Sequence, residues 1–115
     1  MLSIISPSKT QDFSKCDINI FSQTRQLDSS NELIGILKNK SQAQISKLMS
    51  LSEKLSKLNV DRFQKFKIPF TLDNAKQAIL AFKGDVYNGI NAPTLSTEDL
   101  DFAQDKVRML SGLYG

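Results

Sequence analysis

The chain has 115 residues, 40% of them hydrophobic and 23% charged, and this composition is typical of one globular domain rather than of a disordered segment. It has no histidine and one cysteine, which excludes imidazole acid–base catalysis, histidine-activated nucleophiles and most transition-metal sites. The net charge of +3 is too small to indicate a polyanionic partner by itself, although it is unevenly distributed.

No segment resembles a secretory signal or a bilayer span, since the N-terminal apolar stretch covers only residues 2–5. Cys16 has no second cysteine with which to form a disulfide, so we expect a structural thiol in a reducing compartment. The sequence therefore predicts a cytoplasmic protein that has no contact with membranes and no cofactor.

The first predicted element is a short buried strand at residues 2–5, which Pro7 ends. A loop with the sequence Ser-Pro-Ser-Lys-Thr follows at residues 6–10. Residues 11–28 are polar and show no period, so we predict irregular structure there, with at most a short extended piece at residues 18–21.

Three serines are each followed three positions later by Glu or Gln, which is typical of helix N-termini because both side chains satisfy free amides of the first turn. These pairs are Ser29 with Glu32, Ser41 with Gln44, and Ser50 with Glu53. Apolar residues then recur at helical spacing, so three helices are predicted. A fourth short helix is predicted after Asn59, carrying Phe63 and Phe66 and ending before Pro69.

The second half of the chain alternates helical and extended patterns. Thr71 with Asn74 predicts a helix start, and the apolar run at residues 78–82 fits either a buried strand or a buried helix end. We favour a strand because Gly84 follows it. Residues 86–90 are predicted as a helical turn or loop, an acidic helix runs from about Ser96 to Lys106, and residues 107–113 form a last strand.

Three motifs carry a family resemblance. They are Ser-Pro-Ser-Lys-Thr at residues 6–10, Ala-Ile-Leu-Ala-Phe-Lys-Gly-Asp-Val-Tyr at 78–87, and Met-Leu-Ser-Gly-Leu-Tyr-Gly at 109–115. Together they resemble the YaaA family of peroxide-stress proteins along the whole chain, with Ser8 where the family usually has alanine. Members of that family are about twice as long. We therefore expect residues 1–115 to be the N-terminal part of a larger single α/β (α+β) domain, helix-rich, truncated after Gly115 and incomplete as a fold.

The resemblance implies a positively charged cleft, DNA binding through a helix-hairpin-helix element, and a part in limiting free iron and oxidative DNA damage during the response to hydrogen peroxide. Residues 38–67 carry eight basic and two acidic residues, a local charge of +6 that would attract a polyanion. Ile45, Leu48, Ser50-Leu51-Ser52 and Ser56 match the spacing of such an element, with serines where glycines and alanine are usual. The alternative is a plain helical hairpin that belongs to the core.

The DNA-binding residues predicted from this pattern are Lys47, Ser50, Leu51, Ser52, Lys54 and Lys57. We expect contacts to the DNA backbone, in duplex or branched DNA, without catalysis. The expected oligomeric state stays open.

A second hypothesis places an anion at the ends of adjacent strands, where open α/β sheets bind ligands. Its residues are Ser6, Ser8, Lys9, Thr10, Lys83, Asp85 and Tyr87. This hypothesis makes the chain an enzyme or binding protein for a phosphorylated small ligand, with Asp85 and Tyr87 as acid–base candidates. A third hypothesis is a truncated product without function. The acids Glu98, Asp99, Asp101 and Asp105 are interpreted as partners of a helix dipole, so no metal site is predicted.

Overall fold

The computed structural model describes residues 1–115. In chain order the helices and strands are β1 (Ser3–Ile5), α1 (Leu27–Lys38), α2 (Gln42–Met49), α3 (Glu53–Lys65), α4 (Ala78–Ala81), α5 (Asp85–Ile90), α6 (Thr97–Lys106) and β2 (Val107–Met109). A single 3-10 turn lies between α5 and α6 at Ala92–Thr94. This is the helix-rich α+β arrangement predicted from the sequence. None of the helices has the length and apolar character needed to cross a bilayer.

The two strands pair in parallel although about one hundred residues separate them in the chain. Ile4 lies opposite Arg108, and the Leu110 amide donates to the Ile5 carbonyl at 3.3 Å. The predicted burial of β1 is wrong, because the side chain of Ile4 is 61% exposed and that of Leu2 is 53% exposed. The whole chain exposes 8180 Å², against about 6,300 Å² for a typical monomer of this mass.

The core lies among α1, α2 and α3. Ile34, Ile45 and Phe63 are its buried members, one from each helix. Partly buried apolar side chains surround them: Leu37, Val60, Phe66 and Leu113. Because apolar residues recur at helical spacing in all three helices, each helix turns one apolar face toward the other two.

The capping signatures are correct for one of the three predicted helices. Ser41 forms a complete capping box with Gln44 at the start of α2. Ser29 instead lies inside α1, which begins at Leu27 without a side-chain cap. Ser50 ends α2, and it is Ser52, two residues later, whose hydroxyl accepts from the Leu55 amide and caps α3.

The predicted break at Asn59 is absent, and α3 runs continuously to Lys65. Asn59 lies inside the helix, and its side-chain amide donates to the Leu55 carbonyl one turn earlier. Val60 and Phe63 then pack against the core, which holds the second half of the helix in place.

The predicted strand at residues 78–82 is also wrong, since residues 78–81 form the single helical turn α4. Gln77 begins this turn, and its side-chain amide donates to the carbonyls of Ile18 and Ile20 at 2.9 and 2.7 Å. Those carbonyls belong to the irregular segment, which forms no strand at residues 18–21. Thr71 and Asn74 form a turn that does not continue as a helix.

The prediction for the last third of the chain is confirmed in outline. Residues 85–90 form α5, and Ser96 caps the acidic helix α6 in a capping box with Asp99. The last strand is shorter than predicted, because residues 111–114 turn back toward α1.

Candidate functional site

The turn between α2 and α3 has the conformation of a tight helical hairpin. Ser50 adopts the left-handed conformation, with φ 51° and ψ 50°, whereas Ser52 is extended, with φ −62° and ψ 162°. Both serines are exposed. We call residues 42–65, with this turn at their centre, the α2–α3 hairpin.

Leu51 anchors the turn between the two exposed serines. Its side chain is only 9% exposed, its amide donates to the Ser46 carbonyl at 3.0 Å, and its carbonyl accepts from the Ser46 hydroxyl at 2.7 Å. Because both backbone groups of Leu51 face α2, its neighbours on either side face outward.

The small residue predicted on α3 lies where the two helices meet. Ser56 is fully buried, and its hydroxyl donates to the Glu53 carbonyl at 2.8 Å. Gln42 of α2 reaches across to the same carbonyl at 3.2 Å. Ile45 is buried as the pattern requires, but Leu48 is 66% exposed and takes no part in the core. Ile45, Leu51 and Ser56 are thus buried, as expected of either kind of helical hairpin, and Leu48 is not.

Among the basic residues of segment 38–67, Lys38 and Arg62 contact other groups of the protein, whereas three lysines of the hairpin are exposed and unpaired. Lys38 donates to the Phe66 carbonyl at 3.4 Å, and Arg62 lies 5.1 Å above the ring of Phe13. Burial lowers the pKa of Arg62 from its ordinary value. The predicted DNA-contacting lysines are all exposed and form no ion pair: Lys47, Lys54 and Lys57.

A second candidate site lies at the carboxyl end of β1, where the structure brings together most of the predicted anion-binding residues. A cavity of about 320 Å³ is bounded by Ser6, Pro7, Ser8, Lys9, Lys83, Gly84, Asp85, Val86 and Tyr87. We call it the strand-end cavity. Thr10 was predicted to belong to it but does not line it; its carbonyl instead accepts from the Lys83 amide at 3.0 Å.

Tyr87 fixes the two sides of the strand-end cavity to one another. Its hydroxyl donates to the Ser6 carbonyl at 2.5 Å, and its ring lies 5.3 Å from that of Phe82. The residue is 7% exposed, and this burial raises the pKa of the phenol above its ordinary value of 10.0. Tyr87 is therefore neutral, and its hydroxyl remains a donor, across the physiological pH range.

Asp12 is a neighbour of this site that sequence reasoning missed. Its carboxylate lies 3.7 Å from the Lys83 ammonium, and its amide donates to the Ala81 carbonyl at 2.7 Å. A backbone hydrogen bond from Ser14, at 2.8 Å, keeps the pKa of Asp12 below its ordinary value of 3.8. No motif marked Asp12, because it meets Lys83 only through folding of the irregular segment.

Gly84 supplies the backbone conformation that starts α5. Its φ of 132° is one that residues with a side chain rarely adopt, and a Cβ there would lie 3.7 Å from the Ser8 hydroxyl oxygen. The acids of α6 lie elsewhere and are exposed, with Asp99 engaged in its capping box. No group of three or more His, Cys, Asp or Glu side chains is placed to hold a metal ion.

The fold and these two sites define a small helix-rich α+β protein with an exposed basic hairpin and a polar cavity after β1. The family described as "Peroxide stress protein YaaA" matches residues 1–115, the whole chain. The chain therefore belongs to this family of peroxide stress proteins, as its three motifs predicted.

Proposed function

We propose that this peroxide stress protein is a cytoplasmic DNA-binding protein that contacts phosphates without catalysis. In this proposal the α2–α3 hairpin holds the DNA backbone. The role in limiting free iron and oxidative DNA damage is part of the same proposal and rests on family membership.

The observation that carries the proposal is the outward position of Ser50 and Ser52 on either side of the buried Leu51. A turn buried beneath other elements could not reach a DNA backbone. Here the turn is open to solvent, although the helices behind it pack tightly through Ile45 and Ser56.

The start of α3 supplies donors for a phosphate. The Ser52 hydroxyl satisfies the Leu55 amide, whereas the amides of Glu53 and Lys54 precede any carbonyl of the same helix that could accept from them. Amides in this position suit a phosphate oxygen, and the partial positive charge of the helix end adds to the attraction. Such contacts position a protein on DNA without reading its base sequence.

Serine in place of glycine does not prevent the hairpin conformation. Ser50 already adopts the left-handed geometry that the usual glycine would provide. The remaining difference from glycine is one exposed hydroxymethyl group, which can itself donate to a phosphate oxygen.

The proposal is tested by fluorescence anisotropy with a labelled duplex and a labelled four-way junction at two salt concentrations. We expect affinity to fall steeply with salt, since each phosphate neutralised by a lysine releases bound counterions. The variants K47Q, K54Q and K57Q are each expected to weaken binding and to lower the slope of log affinity against log salt by about one unit.

K15Q is the matched control because Lys15 is exposed but lies outside the hairpin. It should bind as the unmodified chain does. A folded sample that does not bind DNA at low salt would refute the proposal. Equal losses in K15Q and in the hairpin variants would mean that net charge, rather than the hairpin, causes binding.

A further inference from the structure

We propose that the strand-end cavity binds a small phosphorylated ligand that also carries hydroxyl groups, such as a sugar phosphate. This site is separate from the proposed DNA contact, because residues 6–9 and 83–87 line it and no residue of the α2–α3 hairpin does.

The position and size of the cavity suit a small molecule. It opens directly after β1, between the loop at residues 6–9 and the start of α5, and ligands of α/β proteins commonly bind beyond the carboxyl ends of strands. Its volume of about 320 Å³ is near the lower end of the range for small-molecule sites. Only two of its nine lining residues are hydrophobic, so a polar ligand fits better than an apolar one.

Two lysines supply positive charge. Lys9 is exposed and forms no ion pair. Lys83 lies 3.7 Å from the Asp12 carboxylate, but both side chains are about two-fifths exposed, so the pair is weak and can yield to a doubly charged phosphate. The hydroxyls of Ser6 and Ser8 are further potential donors to phosphate oxygens.

Asp85 restricts the class of ligand. Asp85 lines the same cavity, and its carboxylate accepts no hydrogen bond from the protein. A bare phosphate would be repelled by this charge, whereas a ligand with hydroxyl groups could donate to it. Because the Tyr87 hydroxyl uses its proton on the Ser6 carbonyl, its oxygen is free to act as a second acceptor. The cavity thus combines cationic donors with acceptors, which matches a phosphate on a hydroxylated carbon chain.

The frame of the cavity is already held in place without a ligand. Tyr87 bonds to Ser6, and the Lys83 amide donates to the Thr10 carbonyl, so both walls are joined by hydrogen bonds. A preformed frame avoids part of the ordering cost of binding.

The test is a two-dimensional amide NMR titration of the full chain with ribose 5-phosphate, with ribose and with inorganic phosphate. We expect saturable shifts at residues 6–9 and 83–87 with ribose 5-phosphate, and affinity at least about tenfold above that for either fragment. K9Q and K83Q should each weaken binding about fivefold or more, while K15Q should not change it.

D85N distinguishes this ligand class from a simple anion site. This variant should lower the affinity for ribose 5-phosphate. Its affinity for inorganic phosphate should be unchanged or higher, because one repulsive charge is removed. K83Q also removes the ion pair to Asp12, so the dispersion of its amide spectrum must be checked. Lys9 forms no ion pair. If K83Q unfolds, K9Q therefore still tests whether a lysine of the cavity binds the phosphate.

Absence of saturable shifts in the millimolar range overturns the proposal, and so does equal affinity for ribose 5-phosphate and inorganic phosphate. A DNA duplex is titrated in parallel. If DNA shifts the cavity amides and displaces ribose 5-phosphate, the cavity belongs to the DNA surface and the small-ligand proposal fails. If DNA fails to bind while ribose 5-phosphate binds, only the DNA proposal fails.

Discussion

The hydroxyl oxygen of Ser30 lies 2.7 Å from the carbonyl oxygen of Leu113, and this contact joins α1 to the C-terminal turn across 83 residues of sequence. Ser30 is fully buried, and Leu113 packs against the core beside it. S30A should therefore lower the free energy of unfolding by about 1–3 kcal/mol, because a buried acceptor loses its partner. Urea denaturation measures this change. S29A, one position earlier and exposed, is the control, and equal effects of the two changes would contradict the assignment.

Substitution of Ser50 by glycine should stabilise the fold, whereas S30A destabilises it. Its left-handed conformation is unfavourable for a residue with a side chain, so S50G should raise the free energy of unfolding by about 0.5–1 kcal/mol. S52A should lower it by about 1 kcal/mol, since the capping hydroxyl of α3 is lost. Urea midpoints of both variants provide the comparison. A less stable S50G would mean that the turn does not hold this conformation in solution.

The capping box of α6 should lower the pKa of Asp99 in the folded chain. Hydrogen bonds from the Ser96 hydroxyl and amide, at 2.8 and 3.1 Å, keep the pKa of Asp99 below its ordinary value of 3.8. Since the folded-state pKa is the lower one, the stabilisation is complete above pH 3.8 and is lost as pH falls through the folded value.

This shift is measured by NMR titration of the aspartate carboxyl carbons. S96A should raise the pKa of Asp99 toward 3.8 and leave that of Asp12 lowered, because Ser14 rather than Ser96 holds Asp12. An unchanged midpoint for Asp99 in S96A would show that the box does not form.

Tyr87 and Tyr114 should make the stability of the folded chain depend on pH in the alkaline range. Burial raises the pKa of each above 10.0, so each is neutral in the folded chain at a pH where the unfolded chain ionises. The stabilisation from neutral phenols is present below pH 10 and disappears as pH rises through the raised values. Absorbance at 295 nm should show a midpoint above 10 for the folded chain and near 10 in concentrated urea. Identical midpoints would mean that both rings are accessible to solvent.

The outer face of the strand pair predicts self-association. Ile4 and Leu110 are 61% and 57% exposed, and both strands have an unpaired edge. The double variant I4T/L110T should reduce concentration-dependent association in sedimentation velocity. Its free energy of unfolding should stay within about 0.5 kcal/mol of the original because neither side chain is buried. L48Q, on an equally exposed helical position, should reduce association less.

The sequence predicted the start of a helix correctly where the capping residue and its partner are close neighbours in the chain. Ser41 and Ser96 cap helices as the sequence indicates, because the partner of each lies three residues away. The strand predicted at residues 78–82 was wrong because the structure there depends on distant residues. Their helical turn depends on Gln77 binding carbonyls nearly 60 residues earlier, and no periodicity contains that information.

The candidate sites likewise contain residues that the sequence marks and residues that only the fold brings together. Six of the seven residues of the anion-site hypothesis line the strand-end cavity, but the expectation that they follow two adjacent strands was wrong, because residues 78–81 form a helical turn. Asp12 could not be predicted, because no motif links it to Lys83. The hairpin turn was placed correctly, but the roles of its serines were not. The pattern marked Ser50 as a cap, and only the backbone angles identify Ser52 in that role.

The pairing of β1 with β2 sets the order in which the chain can fold during synthesis. Ile4 is synthesised about one hundred residues before Arg108, its partner in the register. Ile34, Ile45 and Phe63 all lie within residues 27–66, so the contacts among them can form while the first strand is still single, and Leu113 completes this core later. Closing the sheet is then a late step across a long loop, and β1 has no strand partner until β2 has left the ribosome.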